Sequence, residues 1–588
     1  MLNEKNGFIF SRRPNRAREI NWRTWDDRAF AEALVEDKPV FLFIAAVWCH
    51  WCHVMDETSY SDPEIIRLLN ERYIPVRVDP DRRPDVNERY NRGGLPTTAI
   101  LTPKGRTITG GTYVPPERLK QVLQEVAGVW REKREDFRRA EAKPPEDSME
   151  PEPAAALTLS PYDKTVRALK RAYDPVFAGF GRGAKFPFTP VLELAFHTAQ
   201  AEADEECLKI ATKTLTVMAG SGLYDVEEGG FFRYSATREW TAPHYEKILG
   251  DNAALLAVYL LALQITGESA FADAARGILS YLEQNLLNAD GTWAGSQDAE
   301  EEYYQLAYVE RRRRKTPYTD RTVFINQNAA LVSALAHATW VLEEDQWQRL
   351  AVKTAAALWQ RAYREGKGMA HYLDGGVPEL FGRLSNQATF GRACLDLYSG
   401  TGDRQWLERS RTLAEFCLDQ LCAPDGAFYD AKPDYGAVGA LAKPLKKIGE
   451  NGLVARWLLK LDAFLGNGRY REAAKAALKA LTPVFEREGL AGADFALGVW
   501  EALHPWTCVT VVGKREENRT IALHRRALAV YAPCKTVRLC PADDRMAVAD
   551  LGIKPRKEPY AVVCRGSENF PPVAEPAELT RLLRPTVA

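Results

Sequence analysis

Four segments between residues 162 and 503 open in the same way, and this internal repetition limits the architectures that the chain can adopt. Each has Asn or Gln second and a small residue third, followed by an apolar helical run; the segments begin at Asp251, Gln327, Asn386 and Glu450. Each follows a stretch that joins glycine to aromatic residues, and these stretches begin at Gly229, Gly291, Gly368 and Gly426. A repeated unit of this kind is an outer helix, a short hairpin or loop, and an inner helix.

Apolar residues recur with helical spacing through this whole region, and the pattern predicts about twelve helices. The predicted helices are 162–173, 190–202, 205–220, 250–265, 269–287, 327–342, 345–364, 386–400, 403–421, 450–465, 469–485 and 491–503. Six hairpins of two helices close a ring, so the sequence predicts an (α/α)6 toroid whose inner helices all start at one mouth.

The repeated amides have two competing interpretations. If the inner helices start at a common mouth, Asn252, Asn328, Gln387 and Asn451 should ring a pocket there. Helix capping would also explain Asn at these positions, but capping favours Asn strongly and Gln hardly at all. Both roles stay open.

The densest polar cluster of the repeat region lies between Tyr224 and Ala253, in a loop that leads into an inner helix. Such groups over aromatic rings suit general acid–base chemistry on a sugar, although a salt-bridged rim that stabilises the hairpins would look the same in sequence. The candidates are Arg233, Trp240, His244, Glu246, Lys247 and Asp251, joined by Gln297, Asp298 and Glu300 from a second loop.

A different pattern occupies the N-terminal region. The continuous apolar run 38–48 predicts a buried strand, and the motif Cys49-His50-Trp51-Cys52 begins where that strand ends. A helix, a second strand, a hairpin and a closing amphipathic helix follow. This order is the thioredoxin arrangement.

A CxxC motif at a helix start favours redox chemistry. The helix N-terminus stabilises a thiolate, which makes Cys49 the attacking sulfur and Cys52 the resolving one. His50 and Trp51 lie between the thiols and should tune their potential. Pro96 stands where thioredoxin-like folds carry a cis proline facing the disulfide, and Phe43 stands where thioredoxins keep a buried acid.

Two other interpretations of the motif remain. Cys49, His50, Cys52 and His53 are all potential ligands of a soft metal, but five consecutive residues do not easily surround one tetrahedral ion, so further ligands would be needed. Alternatively, the two cysteines are buried structural thiols. We predict no metal and no cofactor.

The charge and cysteine content limit which binding partners and which cellular compartment are expected. The 588 residues carry 78 Lys and Arg against 79 Asp and Glu, which gives no reason to expect nucleic acid or an anionic membrane as a partner. The run Arg311 to Lys315 is expected to be a solvated loop or helix end. The charged N-terminus does not resemble a secretory signal, and ten cysteines, mostly isolated, suit a reducing compartment, so a cytoplasmic location is expected.

These patterns predict a multidomain chain of α/β and all-α parts. Residues 1–140 form a thioredoxin-like domain, 141–161 a linker rich in Pro, Glu and Ala, 162–504 the (α/α)6 toroid of six hairpins, and 505–588 a small C-terminal α/β appendix.

The motifs together resemble one family along nearly the whole chain. The stretches EDKPVFLFIAAVWCHWCHVM, GGLPTTAILTPKG, FGRGAKFP, GGFFRYS and PHYEKILGDNA are similar to the thioredoxin-domain family that includes spermatogenesis-associated protein 20 and its bacterial and archaeal relatives. The resemblance implies a thioredoxin-like fold joined to a toroid similar to sugar epimerases and six-hairpin glycosidases. By position it matches the family's residues at Cys49, Cys52 and His53, and at His244, Glu246, Lys247 and Asp251.

Three functional hypotheses follow. The first is a thiol–disulfide oxidoreductase or redox-sensing protein that acts on a protein disulfide, with a toroid that binds a carbohydrate or a partner. The second is a carbohydrate-active enzyme, an epimerase, isomerase or glycosidase, with a regulatory thioredoxin-like domain. The third is a non-catalytic scaffold.

Overall fold

The computed structural model describes residues 7–142, 156–543 and 556–584. Residues 143–155 of the predicted linker lie outside the described residues. The chain divides into two compact units. The first comprises Met1–Glu150 with two short later segments, Asp298–Glu300 and Pro433–Pro444, and the second comprises the rest of the chain.

A four-stranded sheet with the order β2-β1-β3-β4 forms the centre of the first unit. Strand β1 runs parallel to β2 and antiparallel to β3, and β4 is antiparallel to β3. Strand β1 is apolar at every position and wholly buried, as expected for a central strand. The strands are β1 Val40–Ile44, β2 Ile74–Val78, β3 Thr97–Leu101 and β4 Thr107–Gly111.

Five helices accompany this sheet, and local sequence explains where two of them begin. Asp26 caps α1 by accepting the Ala29 N–H, and Asp62 caps α3, where Pro63 fills the first helical position. The helices are α1 Asp27–Val35, α2 His50–Glu57, α3 Pro63–Arg72, α4 Pro84–Tyr90 and α5 Pro116–Ala142.

The segment Pro433–Pro444 is attached to the first unit through Tyr90. The Tyr90 hydroxyl donates to the Gly105 carbonyl at 2.7 Å and accepts the Ala440 N–H at 2.8 Å. Gly439 has a φ of 60°, and a Cβ there would lie 2.4 Å from the Tyr90 oxygen, so only glycine fits. The close approach of Gly439 to Gly105 is thus built into the sequence.

Twelve helices of the second unit form six hairpins, which confirms the (α/α)6 toroid. The inner helices pack in a ring that closes where the last of them meets the first, and each also packs on an outer helix. The inner helices are α7 Thr189–Ala201, α9 Leu249–Thr266, α13 Ile325–Val341, α15 Leu384–Thr401, α17 Ile448–Leu465 and α19 Ala493–Leu503. The outer helices are α6 Ser160–Ala172, α8 Glu205–Ala219, α10 Ser269–Tyr281, α14 Gln346–Ala362, α16 Arg404–Gln420 and α18 Arg469–Leu481.

The connections of the toroid are unequal. The links that lead into inner helices are longer than those that leave them, and the three that lead into α9, α13 and α15 carry short strands. One long link also holds two single-turn helices, α11 Glu301–Tyr304 and α12 Tyr308–Arg311. The polar loops therefore gather at the N-terminal ends of the inner helices.

Helix α9 is, by length and composition alone, long and apolar enough to cross a membrane. In the toroid it lies between α7 and α13, and most of its apolar side chains are buried against them. Its uniform apolarity is that of a helix surrounded by protein on most sides.

The C-terminal appendix is a second four-stranded sheet with the order β6-β5-β7-β8. Strand β5 is parallel to β6 and antiparallel to β7, and β8 is antiparallel to β7, so strand order and direction repeat those of the N-terminal sheet. The elements are β5 Thr507–Val512, α20 Asn518–Ala529, β6 Lys535–Cys540, β7 Tyr560–Arg565, β8 Glu568–Asn569 and α21 Pro576–Leu583.

Candidate functional site

The CxxC motif lies at the start of α2, directly after the loop that leaves β1. Cys49 and Cys52 are joined by a disulfide bond. Cys49 is the N-cap residue of α2, and its sulfur accepts the Cys52 N–H at 3.2 Å. Cys52 is wholly buried, whereas Cys49 keeps 4% of its surface. Cys49 is therefore both the more accessible sulfur and the one that the helix start stabilises as a thiolate.

The Leu95–Pro96 peptide bond is cis, as predicted, and leads directly into β3. Because β3 pairs with β1, Thr97 lies opposite Ile44 at the end of β1 from which the motif's loop departs. The sheet register thus brings Pro96 to the same end of the sheet as the motif.

Aromatic and charged side chains surround the motif. Trp51 is 44% exposed, with its ring centroid 5.2 Å from that of Tyr113 and 5.5 Å from that of His50. The Trp48 indole donates to Asp81 at 2.6 Å. His53 Nδ1 lies 3.8 Å from the Asp298 carboxylate. The structure therefore places Asp298, a toroid candidate by sequence, in the first unit beside the CxxC motif.

Phe43 fills the position behind the motif where the sequence lacks an acid. It is wholly buried against Trp22 and Tyr60. The nearby Asp56, on α2, is also buried, but the Arg77 guanidinium donates hydrogen bonds to both of its carboxylate oxygens, at 2.7 and 3.0 Å. Because this bidentate pair fixes the carboxylate, Asp56 is a structural group and not a mobile proton carrier.

Metal binding has no geometric support in the parts of the chain that the structure describes, 7–142, 156–543 and 556–584. No group of three or more His, Cys, Asp or Glu side chains is placed there to hold a metal ion. The two cysteines also bond to each other, whereas metal ligation requires thiolates.

The four repeated amides of the toroid perform one common task. Each amide oxygen accepts a backbone N–H from the preceding glycine–aromatic stretch, and each amide nitrogen donates to the carbonyl of the same residue. Asn252 holds Phe231, Asn328 holds Trp293, Gln387 holds Met369 and Asn451 holds Phe428, with donor–acceptor distances of 2.7 to 3.2 Å.

We call this arrangement the amide clasp. All four side chains are wholly buried, and each nitrogen also donates to the carbonyl four residues earlier. The clasp joins each inner helix to its own hairpin, a role that differs from both pocket lining and N-terminal capping.

Three more of the predicted pocket residues have structural partners. Trp240 is wholly buried and its indole donates to the Phe177 carbonyl at 3.0 Å. Gln297 accepts the hydroxyls of Tyr281 and Tyr304 at 3.3 and 3.0 Å.

Lys247 is the third predicted pocket residue with structural partners, and it lies at the centre of a buried charge network. Its ammonium donates to Asp225 at 2.6 Å and to the Gly229 carbonyl at 2.8 Å, and burial lowers its pKa to about 8. Arg311 donates to both oxygens of the same Asp225. The expectation of a solvated run at 311–315 is therefore wrong for Arg311, which is 2% exposed because it neutralises a buried acid.

The remaining toroid candidates form a polar cluster at the start of α9. The His244 ring stacks on Tyr234 with centroids 4.1 Å apart, and its Nδ1 lies 3.9 Å from Glu246. Glu246 is buried, with one oxygen that accepts no hydrogen bond from the described residues. Burial raises the pKa of Asp251 to about 6; the Arg233 charge lowers it and the Glu246 charge raises it further. We call Arg233, His244, Glu246 and Asp251 the acid–base cluster.

Sequence reasoning missed the partners that decide which polar residues are structural. Asp225, Arg311 and Asp56 carry no local signal, because their partners lie 21 or more residues away in the chain. The only usable hint was the density of charge between Tyr224 and Ala253.

Fold and site together define a class: a thioredoxin-like domain with an N-capping CxxC cysteine, followed by a six-hairpin toroid and a small α/β appendix. Residues 3–146 match the family described as Thioredox_DsbH, protein of unknown function, DUF255. The chain is similar to spermatogenesis-associated protein 20 of Homo sapiens at 24% identity, with 100% of this chain and 92% of that protein covered. The resemblance drawn from the motifs is thereby confirmed.

Two further comparisons cover parts of the chain. The Rattus norvegicus spermatogenesis-associated protein 20 is 33% identical over 51% of this chain and 41% of that protein. Among solved structures, the cellobiose 2-epimerase from Spirochaeta thermophila is similar at 14% identity and a TM-score of 0.48, covering 59% of this chain and 94% of that one.

Proposed function

We propose that this chain is a thiol–disulfide oxidoreductase that exchanges disulfides with a partner protein through Cys49 and Cys52. The observation that carries the proposal is the position of Cys49, whose sulfur caps α2 and accepts the Cys52 N–H. A thiolate at this position receives a hydrogen bond and the favourable end of the helix dipole.

The exchange proceeds in two balanced steps. The Cys49 thiolate attacks one sulfur of the partner disulfide, which forms a mixed disulfide and releases the other partner sulfur as a thiolate. The Cys52 thiolate then attacks Cys49, which releases the second partner thiolate and leaves the Cys49–Cys52 disulfide. Two electrons pass to the partner, and two molecules of a low-molecular-weight thiol return them to the pair and become a disulfide themselves. The reverse sequence oxidises a partner dithiol.

A second candidate function, acid–base chemistry on a carbohydrate, is favoured by the acid–base cluster of the toroid. Asp251 has a pKa near 6 that the charge of Glu246 helps to raise, and Glu246 in turn lies 3.9 Å from His244. A carboxyl group with such a pKa has the properties of a general acid. In the first proposal the same cluster contributes to binding a carbohydrate or partner.

The proposed redox function is tested by trapping the intermediate. Full-length Cys52→Ser protein is incubated with oxidised glutathione, and peptide mass spectrometry identifies the modified cysteine. Cys49 should carry glutathione stably, because the resolving sulfur is gone. The Cys49→Ser variant is the matched control, and it should carry no glutathione at Cys52, which is wholly buried.

A redox titration of the wild-type pair in glutathione and dithiothreitol buffers completes the test. A reversible two-electron transition confined to Cys49 and Cys52 is expected. The proposal fails if the pair shows no such transition, or if Cys49 in the Cys52→Ser variant reacts no faster than the other cysteines.

A further inference from the structure

A cavity of about 260 Å³ lies in the second unit, away from the residues considered so far. Its wall includes Val258, Leu261 and Gln264 from the second half of α9, with residues of the second halves of α13 and α15. The appendix closes it with residues between Leu528 and Val537. The cavity therefore lies toward the C-terminal ends of the inner helices, opposite the amide clasp and the acid–base cluster.

Arg392 of α15 is the notable polar group of this wall. Among the residues that the structure describes, its one ion pair is a long one, 3.9 Å to Glu193. That carboxylate is held more closely by Arg456, at 2.6 Å, and Arg456 also binds Asp494 and Glu501. Within the described residues the Arg392 guanidinium donates no hydrogen bond within 3.5 Å, so its planar fork of donors is available to a ligand.

Lys535 adds a second basic side chain, which pairs with no carboxylate in the described part of the chain. Its ammonium donates to the backbone carbonyls of Ala527, Leu528 and Val530, at the end of α20. Burial lowers the pKa of Lys535 to about 7, and the Lys460 charge lowers it further. A negative ligand nearby would relieve this penalty.

His337 shows that the cations converge on one region. Burial lowers the pKa of His337 to about 4; Asp396 opposes the shift, while Lys535, Lys460 and Arg392 each add to it. The imidazole is neutral at pH 7 and is held by Gln264 at 3.1 Å. Asp396 is paired with Lys460 at 2.5 Å. The cavity wall thus holds three basic side chains, Arg392, Lys460 and Lys535, against two acidic ones, Glu193 and Asp396.

The rest of the wall is apolar and the volume is small. Ala257, Val258, Leu261, Ala334 and Trp340 supply hydrocarbon and aromatic surface. The volume falls below the roughly 300–1,000 Å³ of drug-sized ligand pockets, so the fitting ligand is a compact molecule.

We propose that this cavity binds a small organic acid, with the carboxylate at the Arg392 guanidinium and the hydrocarbon part against the apolar wall. Arginine binds a carboxylate with two parallel hydrogen bonds, which an uncharged amide cannot reproduce. The site requires neither the redox pair nor the acid–base cluster.

The test compares acids with their uncharged amides on the full-length protein. Isothermal titration calorimetry at constant ionic strength measures butyrate and benzoate against butyramide and benzamide. The acids should bind at least about tenfold more tightly than the amides. Arg392→Gln should reduce acid binding to the level of the amides. Arg411→Gln, which removes an exposed arginine paired with Glu408, should leave acid binding unchanged.

Three results would overturn the proposal: equal affinity for acids and amides, unchanged acid binding in Arg392→Gln, or no binding of either acid at about 1 mM. The comparison of acid and amide uses wild-type protein, so it decides the matter even if Arg392→Gln does not fold.

Discussion

Asp251 carries a charge that its surroundings disfavour. Within the described residues its carboxyl accepts no hydrogen bond, and burial raises its pKa to about 6, against the opposing charge of Arg233. A group that costs stability when ionised, and whose pKa is raised further by the charge of Glu246, has the character of a functional residue.

Replacing Asp251 by Asn should stabilise the protein above pH 6. The folded pKa is higher than the unfolded one, so the native state gains stability at low pH and loses it as pH rises through 6. Asn cannot ionise and escapes this loss, which amounts to about 3 kcal/mol at most. Thermal melts should show a higher Tm for Asp251→Asn at pH 8 and a smaller advantage at pH 5.

The control is Asp273→Asn, at an exposed position, whose Tm should differ from that of the wild type by the same amount at pH 5 and pH 8. A lower Tm for Asp251→Asn at pH 8 would mean that the ionised carboxylate stabilises the fold. Mono- and disaccharides provide a functional readout, because a ligand that uses this carboxyl should raise the wild-type Tm more than that of the variant.

The amide clasp recurs in four of the repeated hairpins of the toroid and joins the elements of each. In three hairpins Asn reaches the backbone of the glycine–aromatic stretch, and in the fourth Gln387 does so with one more methylene. Gly368, next to the bound Met369, has a φ of 72°, and a Cβ there would lie 2.7 Å from the Gln387 oxygen. Glycine is therefore required where the longer amide approaches.

Shortening Gln387 to Asn should break the fourth clasp. The backbone N–H and carbonyl of Met369 would lose their partner in a wholly buried setting, which costs about 1–3 kcal/mol. The same change at the exposed Gln284 should cost less than about 0.5 kcal/mol. Urea denaturation followed by far-UV circular dichroism measures both variants. Equal midpoints for the two would show that Gln387 can be replaced without loss of the clasp.

Elements of the toroid were predictable because their signals are local. The inner helix predicted at 190–202 spans Thr189–Ala201, and the one predicted at 491–503 spans Ala493–Leu503. The outer helix predicted at 269–287 changes to a π-helical turn at Leu282. The clasp itself was not predictable, since the amide and its backbone partner lie 18 to 35 residues apart.

The candidate site residues also divide into those with a local sequence signal and those whose partners lie far away in the chain. The positions of Cys49, Cys52 and Pro96 follow from one motif and one strand order, so the sequence suffices to predict where they lie. The partners of Lys247 and Asp298 are set by packing between distant segments: Lys247 lies in a buried ion pair with Asp225, and Asp298 lies beside His53.

On the scale of the whole chain, the same strand order occurs twice, but only the first sheet carries a CxxC motif. At the corresponding place after β5 the chain reads Gly513-Lys514-Arg515, and β7 begins after Pro559, whose peptide bond is not cis. The appendix thus has the same sheet without a CxxC motif or a cis proline. Its Cys508 and Cys564 are partners in the β5–β7 register but form no disulfide.

The buried cysteines outside the CxxC motif should react slowly with alkylating reagents. Burial raises the pKa of the Cys207 thiol to about 12 and raises those of Cys394, Cys417 and Cys534 further. The thiolate is the reactive form, so these residues present almost none of it at neutral pH. Cys422 is exposed, although partial burial and Asp425 raise its pKa.

Limited alkylation with iodoacetamide, read by peptide mass spectrometry, should distinguish two states of the protein. Without reductant Cys422 should be the main labelled residue, because Cys49 and Cys52 are joined. After mild reduction Cys49 should overtake it, since the start of α2 stabilises its thiolate and no other described cysteine caps a helix. Cys422→Ser removes the competing site and should leave the Cys49 rate unchanged. Labelling of Cys207, Cys394 or Cys417 at the rate of Cys49 would show that the toroid opens readily, and would contradict the burial on which this order rests.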